Sequence, residues 1–365
     1  MDKPTGTRAK ILITGAGSAQ ANGVINCLRM AEGDEEIIGL GSDPADLMLA
    51  RAHRKYVMPH SRDAGYEAAL MAVIERERPQ MIHFQHDAEL AVALRFRERI
   101  EQAGVAMLVP DYETIATCVH KHASWEKFKA AGITVPENVV LHRPADVEGA
   151  LKQLGGPDGR VWLRSMGIGG GGKGALPTGD VQEAIEWITR HDGWGTFTAA
   201  ELLTNRTVTW LSLWQDGELI VAQTRRRRGW AHSALSPSGV TGVTKIGETC
   251  SDPQIDAIAM RAVAAVSAKP ANGVYGVDMT YDRHGIPNPT EINIARFFTT
   301  VQFFAEAGLN MPAILKDIVL YNRRPQLAKK LNPLPDGLLW LRGMDCAPRL
   351  TTPQEMEREL LKAIA

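Results

Sequence analysis

Short apolar runs separated by stretches of helical periodicity mark residues 1–110. Lys10–Ile13, Glu36–Leu40, the brief Tyr56–Met58, Met81–Phe84 and Ala106–Val109 read as strands, and Ala64–Arg78 and Ala88–Ala103 as helices. Strands joined through helices of this length need right-handed crossovers, so a parallel sheet is expected. Residues 111–140 predict two helices and an extended piece, with Gly132 closing the second helix and Pro136 interrupting the chain. From Leu141 to Thr204 the order is strand, helix, strand, glycine run, helix, strand. The texture then changes to antiparallel hairpins. Arg206–Trp214 and Glu218–Arg227 turn on Asp216-Gly217, and Gly273–Tyr281 and Ile286–Ile294 turn around His284-Gly285. A helix over Asp252–Ser267, a looser Pro325–Pro335, a strand at Leu338–Arg342 and a helix from Pro353 to Ile364 complete the chain. The expected class is α/β together with α+β. The expected division is 1–110, 111–204, 205–325 and a terminal strand and helix over 326–365 packed on the core.

Composition narrows the function classes. With 44% hydrophobic and 23% charged residues, the 365-residue chain has the make-up of a soluble globular protein of two or three domains. Lys plus Arg number 41 and Asp plus Glu 42, a net charge of −1, which argues against a nucleic-acid binder. No apolar run approaches the ~18 residues of a membrane span. The polar start, Met1 to Lys10, lacks the apolar region of a signal peptide. The four cysteines, Cys27, Cys118, Cys250 and Cys346, are too widely spaced for a metal knuckle or redox pair. A reduced, cytoplasmic protein is the economical expectation.

Four features carry candidate chemistry. Gly15-Ala16-Gly17-Ser18-Ala19-Gln20 follows the first strand and is like a dinucleotide fingerprint, but Gln20 replaces its third glycine. A tight strand-to-helix turn in a Rossmann-like lobe is the plainer reading. Arg164 precedes Gly167-Ile168-Gly169-Gly170-Gly171-Gly172-Lys173-Gly174. Such a run exposes backbone N–H groups that suit phosphate oxygens. A P-loop would need Ser or Thr where Gly174 stands, so a phosphate-covering lid is preferred over a P-loop, with a surface loop as the plain alternative. Asp278 on one strand and Glu291-Ile292-Asn293 on its hairpin partner place two carboxylates and an amide on neighbouring strands, a hard-oxygen set for magnesium, or else partners for Arg and Lys. Arg225-Arg226-Arg227-Arg228 is either a solvated edge or, for one or two of its members, a cleft group for an acidic substrate or a transferred phosphoryl group. Lys245 has the same two readings, in a loop expected to face the cleft. His83, His86 and Asp87 end the fourth strand, where they are either an acceptor-binding edge or a hydrogen-bonded rim. His120 and His122 read as helix-start residues.

The order of these features resembles the ATP-grasp superfamily over nearly the whole chain. Carbamoyl phosphate synthetase large subunit and biotin carboxylase are the families most like it. The resemblance implies a preATP-grasp lobe over 1–110, a small ATP-grasp lobe with the flap over 111–204 and a large lobe with the metal site over 205–325. It implies that Lys121 and Arg164 meet the nucleotide phosphates, that Gly169, Gly170, Gly171, Gly172 and Lys173 close over them, and that Glu201 and Leu203 line the adenine site, Leu203 through its backbone. Thr207 falls where the family has a ribose-binding acid, with Thr209 as a substitute. Asp278, Glu291 and Asn293 would hold two magnesium ions, with manganese as a replacement. Arg296 stands one place beyond the family's arginine, and with Lys245 and Arg226 would serve the reacting groups. The implied reaction is ATP-dependent ligation of a carboxylate to an amine or ammonia through an acyl phosphate, releasing ADP and phosphate, with small-molecule substrates, no nucleic acid, no membrane, and a homodimer allowed. A bicarbonate or carbamate kinase, a nicotinamide oxidoreductase and a non-catalytic nucleotide-binding regulator are the alternatives.

Overall fold

A computed structural model of the chain describes residues 8–166, 174–239, 243–343 and 349–359. Its strands form three sheets. The first is parallel, in the order β3-β2-β1-β4, from β1 (Lys10–Ile13), β2 (Glu36–Gly41), β3 (Arg54–Val57) and β4 (Met81–His83). The second is antiparallel, in the order β5-β8-β6-β7, from β5 (Asn138–Leu141), β6 (Val161–Ser165), β7 (Leu176–Thr178) and β8 (Phe197–Glu201). The third is also antiparallel and runs β13-β12-β9-β10-β11-β14-β15. Its strands are β9 (Thr207–Gln215), β10 (Glu218–Trp230), β11 (Thr244–Cys250), β12 (Gly273–Tyr281), β13 (Pro287–Ile294), β14 (Leu339–Leu341) and β15 (Arg349–Thr351).

The expected hairpins form where the turn chemistry put them. Asp216 and Gly217 both take positive φ, 52° and 81°, the geometry that matches the twist of the flanking strands. Two sequence expectations are corrected. Ala106–Val109 forms no strand; a single parallel bridge from Ala106 to Met81 replaces it. The helix expected over Ala88–Ala103 is three pieces, Asp87–Ala93, the 3-10 turn Leu94–Phe96 and Arg97–Gln102, because the buried Phe96 leaves helical geometry at φ −124°, ψ 30°.

The faces of the large sheet explain where a cleft can open. One face packs Val208, Trp210, Val277 and Ile292 against the helices Tyr112–Val119, Lys121–Ala130 and Pro253–Val266. Trp210 Nε1 donates to Asp256 Oδ1 at 2.8 Å, and Asn332 Nδ2 also binds that carboxylate. The other face is divided along the strands. Leu211, Leu213, Val221 and Val274 are buried with Phe297, Phe303 and Phe304, each such side chain worth roughly 1.5–3 kcal/mol. Thr207, Thr209, Arg225, Arg227 and Asp278 continue the same rows at the other end, so the apolar face becomes polar within one strand length.

Candidate active site

The polar end of that face is built by register. Asp278 lies opposite Glu291 on one side and Thr209 on the other, and Thr209 lies opposite Arg225. Directly opposed residues share a face, so these four side chains form one row across β13, β12, β9 and β10. Asn293, two residues from Glu291, joins them; Gly276 opposite it carries no side chain. Asn293 Nδ2 donates to Asp278 Oδ2 at 3.0 Å, and the Thr209 hydroxyl donates to Asp278 Oδ1. The expected grouping of Asp278, Glu291 and Asn293 is therefore realised.

Cations surround this row from three directions. Lys121, at the start of its helix, stands 3.5 Å from Glu291 Oε2. Arg164, on β6 of the small sheet, reaches across and donates to the Thr290 carbonyl at 3.3 Å. Arg296 donates to Asn293 Oδ1, and its Nε stands 3.4 Å from Asp87 Oδ2 at the carboxyl end of the parallel sheet. Ala295, at φ +57°, provides the left-handed turn that swings Arg296 back over Asn293. Arg227 Nη2 lies 3.8 Å from Asp278 Oδ1. Burial would raise the Glu291 carboxyl, but Lys121, Arg164 and Arg296 outweigh it and hold it below the usual range. Burial lowers the guanidinium of Arg164, and Glu291 opposes that shift. All three sheets thus contribute to one cluster.

The arginine run divides by strand alternation. Arg225 and Arg227 face the cluster; Arg225 donates to Thr244 Oγ1 at 2.6 Å and to Thr209 Oγ1 at 3.2 Å, and Arg227 to Thr207 Oγ1 at 2.9 Å. Arg226 points to the opposite face, 3.7 Å from Glu248, with Arg228 bound to the same carboxylate. The expectation for Arg226 is corrected: Arg225 and Arg227 hold the cleft positions. Lys245 is corrected as well. It is not in a cleft-facing loop but on β11, exposed, where the register slips between Ile246 and Thr244, so Thr244 reaches the two arginines instead.

Gly169, Gly170, Gly171, Gly172 and Lys173 lie outside the described residues. Glu201 ends β8, exposed, and accepts from the Glu137 amide at 3.1 Å. Leu203 follows in the link to β9, and among the described residues its backbone amide and carbonyl have no partner. Thr204 fastens that link to β12 through the Tyr281 carbonyl at 2.7 Å. Thr207 accepts from Arg227, and Thr209 serves Asp278. His120 caps the Lys121 helix, as expected, and His122 stacks on Trp125. His86 is exposed, and Asp87 meets Arg296.

His83 is a rim residue rather than a contact group. It is 3% exposed and bonds Gln85 Oε1 at 2.8 Å, while Gln85 accepts from the Phe297 amide at 2.9 Å and so ties the parallel sheet to the large one. Gln85 had no signal in the sequence beyond its place after a strand. Burial pushes the His83 imidazole down to about 4. Its unfolded value is about 6.5, so the unfolded chain binds the extra proton between these pH values, and stability falls as pH drops from about 6.5 to about 4. A loss on the order of 3 kcal/mol across that window is expected in urea midpoints of the wild type. His83→Gln should show a flatter profile; equal slopes would remove His83 as the cause.

The Gly15–Gly17 turn is explained by packing. Gly17 has φ +100°, and a Cβ there would lie 2.1 Å from the Asp46 carbonyl oxygen. A Cβ on Gly41 would lie 2.7 Å from the Ala16 carbonyl oxygen. Close approach of two backbones accounts for Gly17 and Gly41, and the left-handed φ of +61° for Gly15, without a dinucleotide.

Among the described residues no three His, Cys, Asp or Glu side chains gather around one point. The donor set is instead two carboxylates and an amide oxygen on one face. Magnesium accepts this well, because it takes one or two carboxylates and completes its shell with water and substrate phosphates. Each of the three groups is held by a hydroxyl, ammonium or guanidinium that an incoming ion and phosphates can replace.

Comparisons with known proteins bear on the fold. No protein-family model matches the chain. The N-terminal section of the carbamoyl phosphate synthase large chain of Aquifex aeolicus (strain VF5) is 29% identical over 162 residues, which cover 40% of this chain and 28% of that one. Among solved structures, an L-amino acid ligase from Bacillus licheniformis superposes with a TM-score of 0.64 at 12% identity, covering 92% of this chain and 79% of that one. The biotin carboxylase domain of Hydrogenobacter thermophilus 2-oxoglutarate carboxylase, a dimer with MgADP, ADP and bicarbonate, superposes with a TM-score of 0.67 at 14% identity, covering 92% and 75%. The chain has the ATP-grasp fold. Among the described residues no helix is long and apolar enough to cross a membrane.

Proposed function

We propose that the protein is an ATP-dependent carbon–nitrogen ligase that activates a carboxylate with the γ-phosphoryl group of ATP and passes the acyl group to an amine or ammonia, releasing ADP and phosphate. The observation that carries this reading is the Asp278–Glu291–Asn293 row ringed by Lys121, Arg164, Arg227 and Arg296. Asp278, Glu291 and Asp87 among Lys121, Arg164, Arg227 and Arg296 leave a surplus of one positive charge, which suits a polyphosphate and an acidic substrate. Asp278, Glu291 and Asn293 would hold magnesium, which neutralises charge on the phosphates when bound.

The protein's own groups do the rest. Lys121 and Arg164 draw the phosphates to the junction of the two antiparallel sheets. Arg296, oriented by Asp87, offers its guanidinium to the transferred group, where positive charge stabilises the developing negative charge. Glu201 and the open backbone of Leu203 would line the adenine, and the glycine run would cover the phosphates and keep water from the acyl phosphate. Thr207 is committed to Arg227, so it reads the ribose only if that bond opens. The divisions 1–110, 111–204, 205–325 and 326–365 follow the same reading, as do a reduced intracellular setting and small-molecule substrates, with a homodimer as in the biotin carboxylase domain named above.

The test is an ADP-release screen of carboxylic acids against amines and ammonia with MgATP, bicarbonate included among the acids. Acid- and amine-dependent ADP and phosphate are expected. Formation of AMP and pyrophosphate would contradict the acyl-phosphate route, and ATP turnover with bicarbonate alone would favour the carbamoyl-phosphate type of chemistry suggested by the Aquifex relative's name.

A further inference from the structure

The large sheet holds a second group of cations that the phosphates do not account for. Arg225 is 2% exposed. Its polar partners are the hydroxyls of Thr244 and Thr209, its guanidinium lies 4.6 Å over the Phe298 ring, and its buried Nε has no partner. Arg342 follows β14. Trp340 is opposite Gly247, and a Cβ on Gly247 would lie 3.3 Å from Arg225 Cδ, so alternation puts Trp340 and Arg342 on the Arg225 face. The Nη1 of Arg342 is also buried without a partner. Among the described residues no carboxylate pairs with Arg225 or Arg342. Burial above all, with Arg227 and Arg342 adding to it and Asp278 opposing, pushes the Arg225 guanidinium down to about 9. Arg227 is likewise placed over a ring, 3.8 Å from the centre of Trp230, with Asp278 at 3.8 Å and Glu291 as its counter-charges.

Buried guanidiniums without carboxylates are costly unless an anion arrives. Phe298 under Arg225 and Trp230 under Arg227 hold these two guanidiniums in place, which prepares them for forked bonds to a carboxylate or phosphate. The group runs along the sheet away from the metal-ligand acids. Arg225, on β10 in the row of Asp278, stands two strands from β12, about 10 Å at the usual strand spacing, and Arg342 follows β14, two strands further on. Arg227, 3.8 Å from Asp278, is the member beside the acids.

We propose that the acid substrate is a dianion: one carboxylate is activated beside Asp278 and Arg227, and a second anionic group, carboxylate or phosphoryl, is held by Arg225 and Arg342. This rests on the ligase reading above and names the class of its acid substrate. The second group takes no part in bond making and sets which acids are accepted.

The experiment is calorimetric titration of the full chain with MgADP present, using matched pairs: butyrate against succinate, valerate against glutarate, and propionate against 3-phosphonopropionate. At least one dianion should bind about 10-fold or more tightly than its monoanion, and the succinate, glutarate and phosphonate arms tell the second group's chemistry and spacing. Arg342→Gln should erase that preference and leave the monoanion unchanged; Arg225→Lys should weaken it, and Arg342→Gln alone decides if Arg225→Lys does not fold. Equal binding within every pair, no binding by any dianion, or a preference that survives Arg342→Gln overturns the proposal. Titration with MgADP alone separates the two readings. Absence of nucleotide binding defeats the ligase reading, whereas nucleotide binding without a dianion preference defeats only this one.

Discussion

Glu291→Ala is expected to reduce ADP release by about 10³-fold or more, with the acid and amine pair that the screen identifies. On the function proposed above the mutation removes a carboxylate that would ligate the metal, and charge neutralisation by a bound metal is worth several kcal/mol in the transition state, of which about 4 kcal/mol corresponds to that factor. It also strips Lys121, Arg164 and Arg296 of the carboxylate that each stabilises. Glu291→Gln preserves the volume and should lose turnover almost as fully, because a neutral amide supplies less charge. Steady-state ADP release at saturating ATP, compared with MgADP binding by titration, separates lost chemistry from lost folding. Wild-type turnover in Glu291→Ala would end the metal assignment.

Gly17→Ala should destabilise the protein by about 3 kcal/mol or more. The position has φ +100°, and the added methyl would meet the Asp46 carbonyl oxygen at 2.1 Å, the Asp46 carbonyl carbon at 2.3 Å and the Leu47 amide at 2.7 Å. Those atoms are backbone, held in the short helix Pro44–Met48 by the Asp43 cap, so they yield only by moving that helix. Strain in the left-handed region adds to the clash. The urea midpoint should fall, and nicotinamide nucleotides should leave protein fluorescence unchanged in both wild type and variant. A stable Gly17→Ala, or saturable quenching by a nicotinamide nucleotide, would revive the dinucleotide reading of this turn.

The hairpin turns, the parallel first sheet and the Asp278–Glu291–Asn293 grouping were legible because each depends on local rules: alternation, turn residues and crossover length. The pieces that failed depended on neighbours far along the chain. Ala106–Val109 has strand composition, but only Ala106 meets Met81, so pairing ends after one bridge. The arginine run carried its own answer in alternation, and a one-residue choice of face decided between Arg226 and its neighbours. Lys245 was misplaced because a slip in the β10–β11 register, near Gly229, shifts Thr244 into its expected direction. Arg342 had no local mark at all; it comes to the Arg225 face only because β14 adds to the edge beyond β11.

The sequence by itself determined the element types, the two antiparallel hairpins and which oxygen donors share a face, since these follow from periods of two and 3.6 residues and from turn chemistry. Tertiary structure decided how the cations stand beside them, and chose Arg227 over Arg226. Lys121, Arg164, Arg227 and Arg296 come from four separate parts of the chain, and their convergence on Asp278 and Glu291 is set by how three sheets pack, a long-range matter that no local pattern encodes.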